Sequence, residues 1–149
     1  MKRIAIICTK RDETMGEVIG AVLAESGYQT ENYLLGDDLT IEKVYAGWGD
    51  TPNLVITINL AGFSYRSSGN NSVYATLDVN TLHYIDRDVE NEQSLLAGLI
   101  TITMKFITDD PDRCRRIKNT YRRIHDISVV SDLENGITDI LDNMDWRKE

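Results

Sequence analysis

Polar and charged side chains that could bind a ligand are concentrated in two segments of this sequence. The first follows an apolar run over residues 3–9 and reads Thr-Lys-Arg-Asp-Glu-Thr-Met-Gly. A helical pattern begins there, and the free N–H groups at a helix N-terminus attract anions. The hydroxyl, basic and glycine residues of this segment are candidate ligand-binding residues: Thr9, Lys10, Arg11, Thr14 and Gly16.

Helix capping is a second interpretation of the same segment. Asp12 and Glu13 place carboxylates where an anionic ligand would bind, and acidic residues are common in the first turn of a helix because they complement its dipole. The segment contains neither Gly-x-Gly-x-x-Gly nor a Walker pattern. The sequence therefore disfavours a dinucleotide or triphosphate site here.

The second candidate segment follows a strand-like run that ends near Asn59. Residues 61–72 hold two glycines, four serines and two asparagines, and such small and amide residues let backbone and side-chain groups approach a sugar or nucleotide closely. A surface loop that binds nothing is the other interpretation left open. The candidate ligand-binding residues are Asn59, Gly62, Tyr65, Arg66, Asn70 and Asn71.

A basic stretch over residues 112–124 is the third feature. It carries 6 of the 16 basic residues of an acidic chain, so it could bind an anionic partner. A solvated helix face that pairs with neighbouring acids is the alternative. The candidate partner-binding residues are Arg115, Arg116 and Arg123.

Several kinds of chemistry are excluded or unsupported. There is no Gly-x-Ser-x-Gly elbow, and the two cysteines and two histidines lack metal-ligand spacing, so no catalytic residue is assigned and no metal is expected.

A net charge of −8 argues against general nucleic-acid binding. We find no run apolar enough to span a membrane and no signal peptide. Cys8 and Cys114 read as reduced core residues, and a cytoplasmic protein is expected.

Strand and helix patterns alternate along the chain and would bring the two segments together. Alternation of this kind predicts one α/β domain over residues 1–149: an open, mainly parallel sheet of five or six strands with helices on both faces, Rossmann-like or flavodoxin-like. Ligands bind such sheets at the carboxyl ends of the strands, where the strand order reverses. We therefore expect Thr9 and Asn59 to lie at one edge.

Strands are predicted over 3–9, 28–35, 54–60, 81–85, 101–108 and 127–130, and helices over 14–27, 40–48, 73–79, 90–99, 111–124 and 133–144.

The first turn resembles the phosphate loop of flavodoxins, Ser/Thr-x-Thr-Gly-Asn-Thr. Thr9 and Thr14 match its ends, whereas Arg11, Asp12 and Glu13 stand in place of its central Thr-Gly-Asn. This resemblance implies that the protein could bind FMN. Apart from this alternative, no cofactor is expected.

A longer stretch resembles the N-terminal Rossmann-like lobe of GT-B glycosyltransferases, in particular of proteins related to bacterial spore-maturation glycosyltransferases. The resemblance lies in residues 53–60 (Asn-Leu-Val-Ile-Thr-Ile-Asn-Leu), the Ala-Gly-Phe turn over 61–63, the short strand that follows, and the helix-strand-helix order over 90–132. It implies a single acceptor-side lobe, not a complete enzyme alone. Such a lobe would bind a small polar ligand or a partner protein, for example a second lobe.

Overall fold

A computed structural model describes residues 2–65, 73–76, 79–88, 104–120, 127–130 and 132–144 of the chain. The helix predicted over 90–99 lies outside these ranges. So do the first three residues of the strand predicted over 101–108 and the last four of the helix predicted over 111–124.

The six described strands form one sheet in the order β2-β1-β3-β4-β5-β6, and every neighbouring pair is parallel. Strand β2 lies on one side of β1, whereas β3 and the strands that follow it lie on the other side. The strand order therefore reverses between β1 and β3. This confirms the predicted Rossmann-like or flavodoxin-like α/β architecture. The strands are β1 (Arg3–Thr9), β2 (Gln29–Leu35), β3 (Leu54–Ile58), β4 (Asn80–Ile85), β5 (Met104–Thr108) and β6 (Ile127–Val129).

Helices cover both faces of the sheet. Ile19 and Leu23 of one helix and Leu141 of the last belong to one apolar core, while Val44 and Ile117 from intervening helices belong to the core on the opposite face. Among the helices of the described ranges, none combines the length and the apolar composition that a membrane span requires. The helices are α1 (Glu13–Glu25), α2 (Ile41–Ala46), α3 (Val73–Thr76), α4 (Pro111–Thr120) and α5 (Leu133–Asp142).

The central strands are buried on both faces, which explains their uninterrupted apolar runs. All five residues of β3 and all six of β4 are buried, as expected for a parallel sheet between two helical layers. Strand β2 lies at one edge of the sheet. Cys8 and Cys114 are free and buried, as predicted.

Two local predictions were wrong. Helical structure begins before residue 14, since residues 10–12 form a 3-10 helix that runs directly into α1. The Asp12 side chain at the end of this 3-10 helix is buried and accepts a hydrogen bond from Asn59. Strand β3 ends at Ile58 rather than at Leu60. Asn59 and Leu60 have φ angles of 52° and 60°, and the left-handed region cannot continue a strand.

Candidate ligand-binding site

The edge where the strand order reverses brings the two candidate segments together. Ile7 of β1 is paired with Thr57 of β3 in a parallel register, so Thr9 and Asn59, two residues further along each strand, lie at the same edge. We call this the carboxyl edge. The predicted convergence of the two segments is thus present.

Asn59 joins the ends of three elements at this edge. Its Nδ2 donates to Oδ1 of Asp12 at 3.1 Å and to Oδ1 of Asp86 at 2.8 Å. The backbone N–H of Asp86 donates back to Asn59 Oδ1 at 3.0 Å, and the Asn59 N–H donates to the Tyr84 carbonyl at 2.7 Å. The left-handed backbone of Asn59 is therefore held by contacts on both its side chain and its main chain.

Charged pairs extend this network across the sheet. Asp12 is only 7% exposed and forms an ion pair with Arg87. On the other side of Arg87, Asp88 pairs with Arg113 and with Arg116, and the hydrogen bond from Arg116 is the largest of the effects that lower the pKa of Asp88. Residues 86–88 thus connect the 3-10 helix that follows β1 to α4 through side-chain hydrogen bonds and ion pairs.

Beside this network lies a pocket of about 410 Å³, which we call the carboxyl-edge crevice. It lies on the α2 side of the sheet, since Ile41 of α2 lines it. Its hydroxyl-bearing lining residues are Thr9, Thr40, Ser64 and Tyr65, and its other lining residues are Leu35, Gly36, Leu39, Ile41 and Gly62. Among these lining residues, all within the described ranges, none carries a charge.

Tyr65 presents its phenol at the rim of the crevice. Hydrogen bonds with Tyr45 and then Glu42 are the main causes that raise the pKa of Tyr65 to about 12. The hydroxyl therefore stays protonated at neutral pH. The half-exposed ring and its hydroxyl together offer an apolar surface and a polar group to one ligand.

Gly62 shapes the floor of the crevice next to Tyr74. Its φ is +85°, and a Cβ built on it would lie 2.5 Å from the Tyr74 hydroxyl oxygen. That hydroxyl donates to the Ala61 carbonyl at 2.8 Å, so Tyr74 cannot move away without losing this bond. Only glycine satisfies both the backbone angle and the space.

We expect Gly62→Ala to lower the free energy of unfolding by about 2 kcal/mol through overpacking and an unfavourable φ. In a Tyr74→Phe background the same substitution should cost less, because the clashing oxygen is gone. Chemical denaturation of the four proteins in this double-mutant cycle measures the coupling. Equal costs in both backgrounds would show that the contact with Tyr74 does not restrict position 62.

The structure brings together some of the predicted site residues and separates others. Thr9, Gly62 and Tyr65 line the crevice, and Asn59 lies behind it, 6% exposed. Lys10, Arg11 and Thr14 are exposed on the 3-10 helix and the first turn of α1 and are not among the lining residues. The predicted site residues Arg66, Asn70 and Asn71 lie outside the described residues.

Two of the predicted ligand-binding residues, Lys10 and Gly16, instead contact other residues of the chain. The Lys10 ammonium lies 3.7 Å from the Glu13 carboxylate. Gly16 is buried inside α1, where a Cβ would lie 3.0 Å from Cys8 Sγ, and its carbonyl accepts a hydrogen bond from Asn32. The absent side chain of Gly16 thus allows α1 to pack closely on the sheet.

Sequence reasoning missed the contribution of the segment after β2. Gly36, Leu39 and Thr40 line the crevice, and the Thr40 hydroxyl also caps α2 by accepting from the Lys43 N–H at 3.3 Å. The glycine directly after a strand could have indicated this, since β2 neighbours β1. No comparable feature of the sequence indicated that the Asp12 side chain would be buried and bonded to Asn59.

The basic helix α4 has partners within the chain. Arg115 pairs with Asp112 and Arg116 with Asp88, whereas Arg123 lies outside the described residues. Arg113, whose side chain is only 12% exposed, pairs with Asp109 at 2.8 Å. Two of the three predicted partner-binding residues are therefore already engaged in ion pairs.

The fold and the crevice define this chain as an open parallel α/β protein with a pocket at its topological switch point. In the described part of the chain, no cluster of three or more His, Cys, Asp or Glu side chains could hold a metal ion. No known protein-family model matches the sequence, and no curated protein matches it.

Proposed function

We propose that this protein binds a neutral, hydroxyl-rich small molecule, a sugar, in the carboxyl-edge crevice. The observation that carries the proposal is the lining: four hydroxyl-bearing residues and three branched apolar residues surround about 410 Å³. A sugar presents hydroxyl groups around its edge and C–H groups on its faces, so it needs both kinds of surface. Ligand pockets commonly have this volume and this mixture.

The charges near the crevice favour a neutral ligand over a phosphorylated one. The described residues that line the crevice include no Lys or Arg, and Glu42 bonds with Tyr65, which lines it. The Arg87 guanidinium, at the same edge, is paired with buried Asp12. A phosphate at this position would meet acidic groups without a free counter-charge from the described lining.

The resemblance to an acceptor-side glycosyltransferase lobe fits this ligand class. In that interpretation the chain holds a sugar acceptor and acts together with a second lobe that supplies the donor site. The Asn-Leu-Ala-Gly segment after β3 is part of the stretch that carries the resemblance. The glycine of this segment, Gly62, also lines the crevice. We propose no catalytic residue for the chain by itself.

Calorimetry with a panel of neutral mono- and disaccharides, beginning with maltose, tests the proposal. We expect binding, and we expect Tyr65→Ala to weaken it at least tenfold by removing the ring and the hydroxyl. Tyr28→Ala is the matched control, since Tyr28 packs against the core on the other face of the sheet, and it should leave affinity unchanged. No heat from any sugar at tens of millimolar, or equal losses in the two variants, would contradict the proposal.

A flavin site is the second candidate, favoured by the strand order. The order 2-1-3-4-5 of the first five strands is the one in which flavodoxins bind FMN at the β1/β3 switch point. FMN added to the protein should then be retained with a yellow colour and quenched fluorescence. Retention of FMN without any sugar binding would replace the sugar proposal, and failure to retain FMN would remove this candidate.

A further inference from the structure

Strand β2 presents one open edge. Among the described strands it is the last on its side of the sheet, and its partner there is β1. The Gln29 N–H donates to the Lys2 carbonyl at 3.0 Å, so the main-chain groups of residue 29 and of every second residue after it point towards β1. Because successive residues of a strand alternate in direction, the N–H and C=O groups of Thr30, Asn32 and Leu34 point away from the sheet.

Within β2, all of whose residues are described, the features that usually prevent strand pairing are absent. The strand has seven residues, Gln-Thr-Glu-Asn-Tyr-Leu-Leu, with neither proline nor lysine. Its register with β1 runs without a bulge from one end to the other. Its one charged side chain, Glu31, forms an ion pair with Arg3 at 3.0 Å. A long, regular edge of this kind is a template for a further strand.

Half-buried apolar side chains flank this edge on both faces of the sheet. Leu34 packs partly against the core on the α1 side, and Tyr33 and Leu35 pack partly against the core on the α2 side. Each of the three keeps an accessible part in the single chain. A strand added at the edge would place side chains directly against them, and such cross-strand pairs stabilise a sheet.

A second copy of β2 fits the edge in an antiparallel orientation. The outward groups of Thr30, Asn32 and Leu34 must then pair with the same groups of the copy, because these residues alone have free main-chain groups on that side of β2. A two-fold axis at Asn32, the middle residue, pairs all seven residues of one strand with all seven of the other. It sets Asn32 against the partner's Asn32 and Thr30 against the partner's Leu34, and each such pair exchanges two main-chain hydrogen bonds.

The charges favour the same register over its neighbours. An axis at Asn32 places Glu31 opposite the partner's Tyr33, and a tyrosine hydroxyl already donates to Glu31 within the chain at 2.7 Å. An axis at Glu31 would set two carboxylates directly against each other, which destabilises a strand pair. An axis at Tyr33 would set Thr30 opposite the partner's Gly36, a residue beyond the strand whose N–H already donates to the Leu39 carbonyl at 3.0 Å.

We propose that two copies of this chain associate through their β2 edges, around a two-fold axis at Asn32, so that the two sheets form one continuous sheet. A two-fold axis makes the interface self-complementary, as in most homodimers. Leu35 is the one residue of β2 that lines the carboxyl-edge crevice. The proposal rests on the edge of β2 and does not depend on sugar binding.

Sedimentation equilibrium of the unmodified protein measures the association. We expect the mass to rise from the 16.9 kDa of one chain towards twice that value between micromolar and millimolar concentration. Asn32→Lys and Asn32→Asp each set two like charges against each other across the axis, so each variant should self-associate at least tenfold more weakly. An equimolar mixture of the two variants should associate again, because a lysine then faces an aspartate. A loss of folded structure would not produce this recovery.

The same two substitutions at Asn135 provide the matched control. Asn135 is an exposed asparagine on α5, and it lines a groove beside β6, at the opposite edge of the sheet from β2. Asn135→Lys and Asn135→Asp should therefore associate like the unmodified protein.

Nuclear Overhauser effects between labelled and unlabelled copies of the unmodified protein locate the interface without any variant. The register predicts a contact between the Hα protons of Glu31 and of the partner's Tyr33, which form a closely spaced pair without main-chain hydrogen bonds. A monomer at millimolar concentration would overturn the proposal and leave the edge to an extended segment of another protein. Unchanged association in both Asn32 variants, no recovery in their mixture, or intermolecular contacts confined to other elements would also overturn it.

Discussion

Asn59→Ala should lower the free energy of unfolding by about 3–4 kcal/mol. The substitution removes hydrogen bonds to the carboxylates of Asp12 and Asp86, and bonds to charged groups contribute about 1.5–3 kcal/mol each. It also leaves Asp12, 7% exposed, without the amide donor. Alanine is in addition less tolerant than asparagine of a φ of 52°.

Two variants separate these causes in urea unfolding experiments. Asn53→Ala removes one bond, from the Arg3 N–H at 2.8 Å, at the opposite end of the same strand, and it should cost only about 1 kcal/mol. Asn59→Gly removes the side chain but tolerates the backbone angle, so it should be no less stable than Asn59→Ala. If Asn59→Ala cost no more than Asn53→Ala, the bridging role of Asn59 at the carboxyl edge would be wrong.

Acidification should destabilise the protein through His83, which is fully buried in β4. Its Nδ1 hydrogen-bonds with Thr57 at 2.6 Å and its Nε2 with Thr81 at 2.9 Å, and the ring packs against Phe63 and Phe106. Burial lowers the pKa of His83 from 6.5 to about 3. The neutral imidazole therefore persists in the folded protein well below the pH at which the unfolded chain takes up a proton.

The sign and size of the effect follow from this difference. Above pH 6.5 both states have a neutral imidazole; between 6.5 and about 3 only the unfolded state binds the proton. Stability is therefore lost as the pH falls, by about 1.4 kcal/mol per unit, or about 3 kcal/mol at a pH two units below 6.5. Urea unfolding at a series of pH values measures this slope.

His83→Gln provides the comparison because glutamine keeps hydrogen-bonding groups but does not titrate in this range. It should be less stable than the unmodified protein at neutral pH but should lose about 3 kcal/mol less on acidification. The other histidine of the chain, His125, lies outside the described residues, and His125→Gln is the matched control. A pH slope unchanged in His83→Gln would contradict the assignment of a neutral buried imidazole.

The architecture could be predicted because parallel sheets leave a strong pattern in the sequence. A strand covered on both faces is mostly apolar, and the run Leu-Val-Ile-Thr-Ile of β3 is typical of such a strand. The strand ends could not be placed as well. Asn59 and Leu60 extend the same pattern but leave the strand with left-handed φ angles, and the side chain of Asn59 is hydrogen-bonded to Asp12 and Asp86, which are distant in the sequence.

The candidate site could be predicted only in part, for a related reason. Alternation of strands and helices brought Thr9 and Asn59 to one edge, because topology alone determines where strand ends meet. The partners of Asn59 are 47 and 27 residues away in the chain, and local sequence does not encode such distant side-chain contacts. For the same reason, the sequence indicated that basic residues of α4 could pair with acids on neighbouring elements but not that Arg116 would pair with Asp88.

Intermolecular nuclear Overhauser effects test most directly whether the carboxyl-edge crevice is the sugar site. The protein would be uniformly labelled and saturated with the neutral sugar that gives the largest heat in calorimetry. We expect contacts between sugar C–H protons and the Tyr65 ring, accompanied by contacts to the methyl groups of Thr9 or Thr40. Contacts confined to residues outside the crevice, or none at all under saturating sugar, would contradict the proposed function.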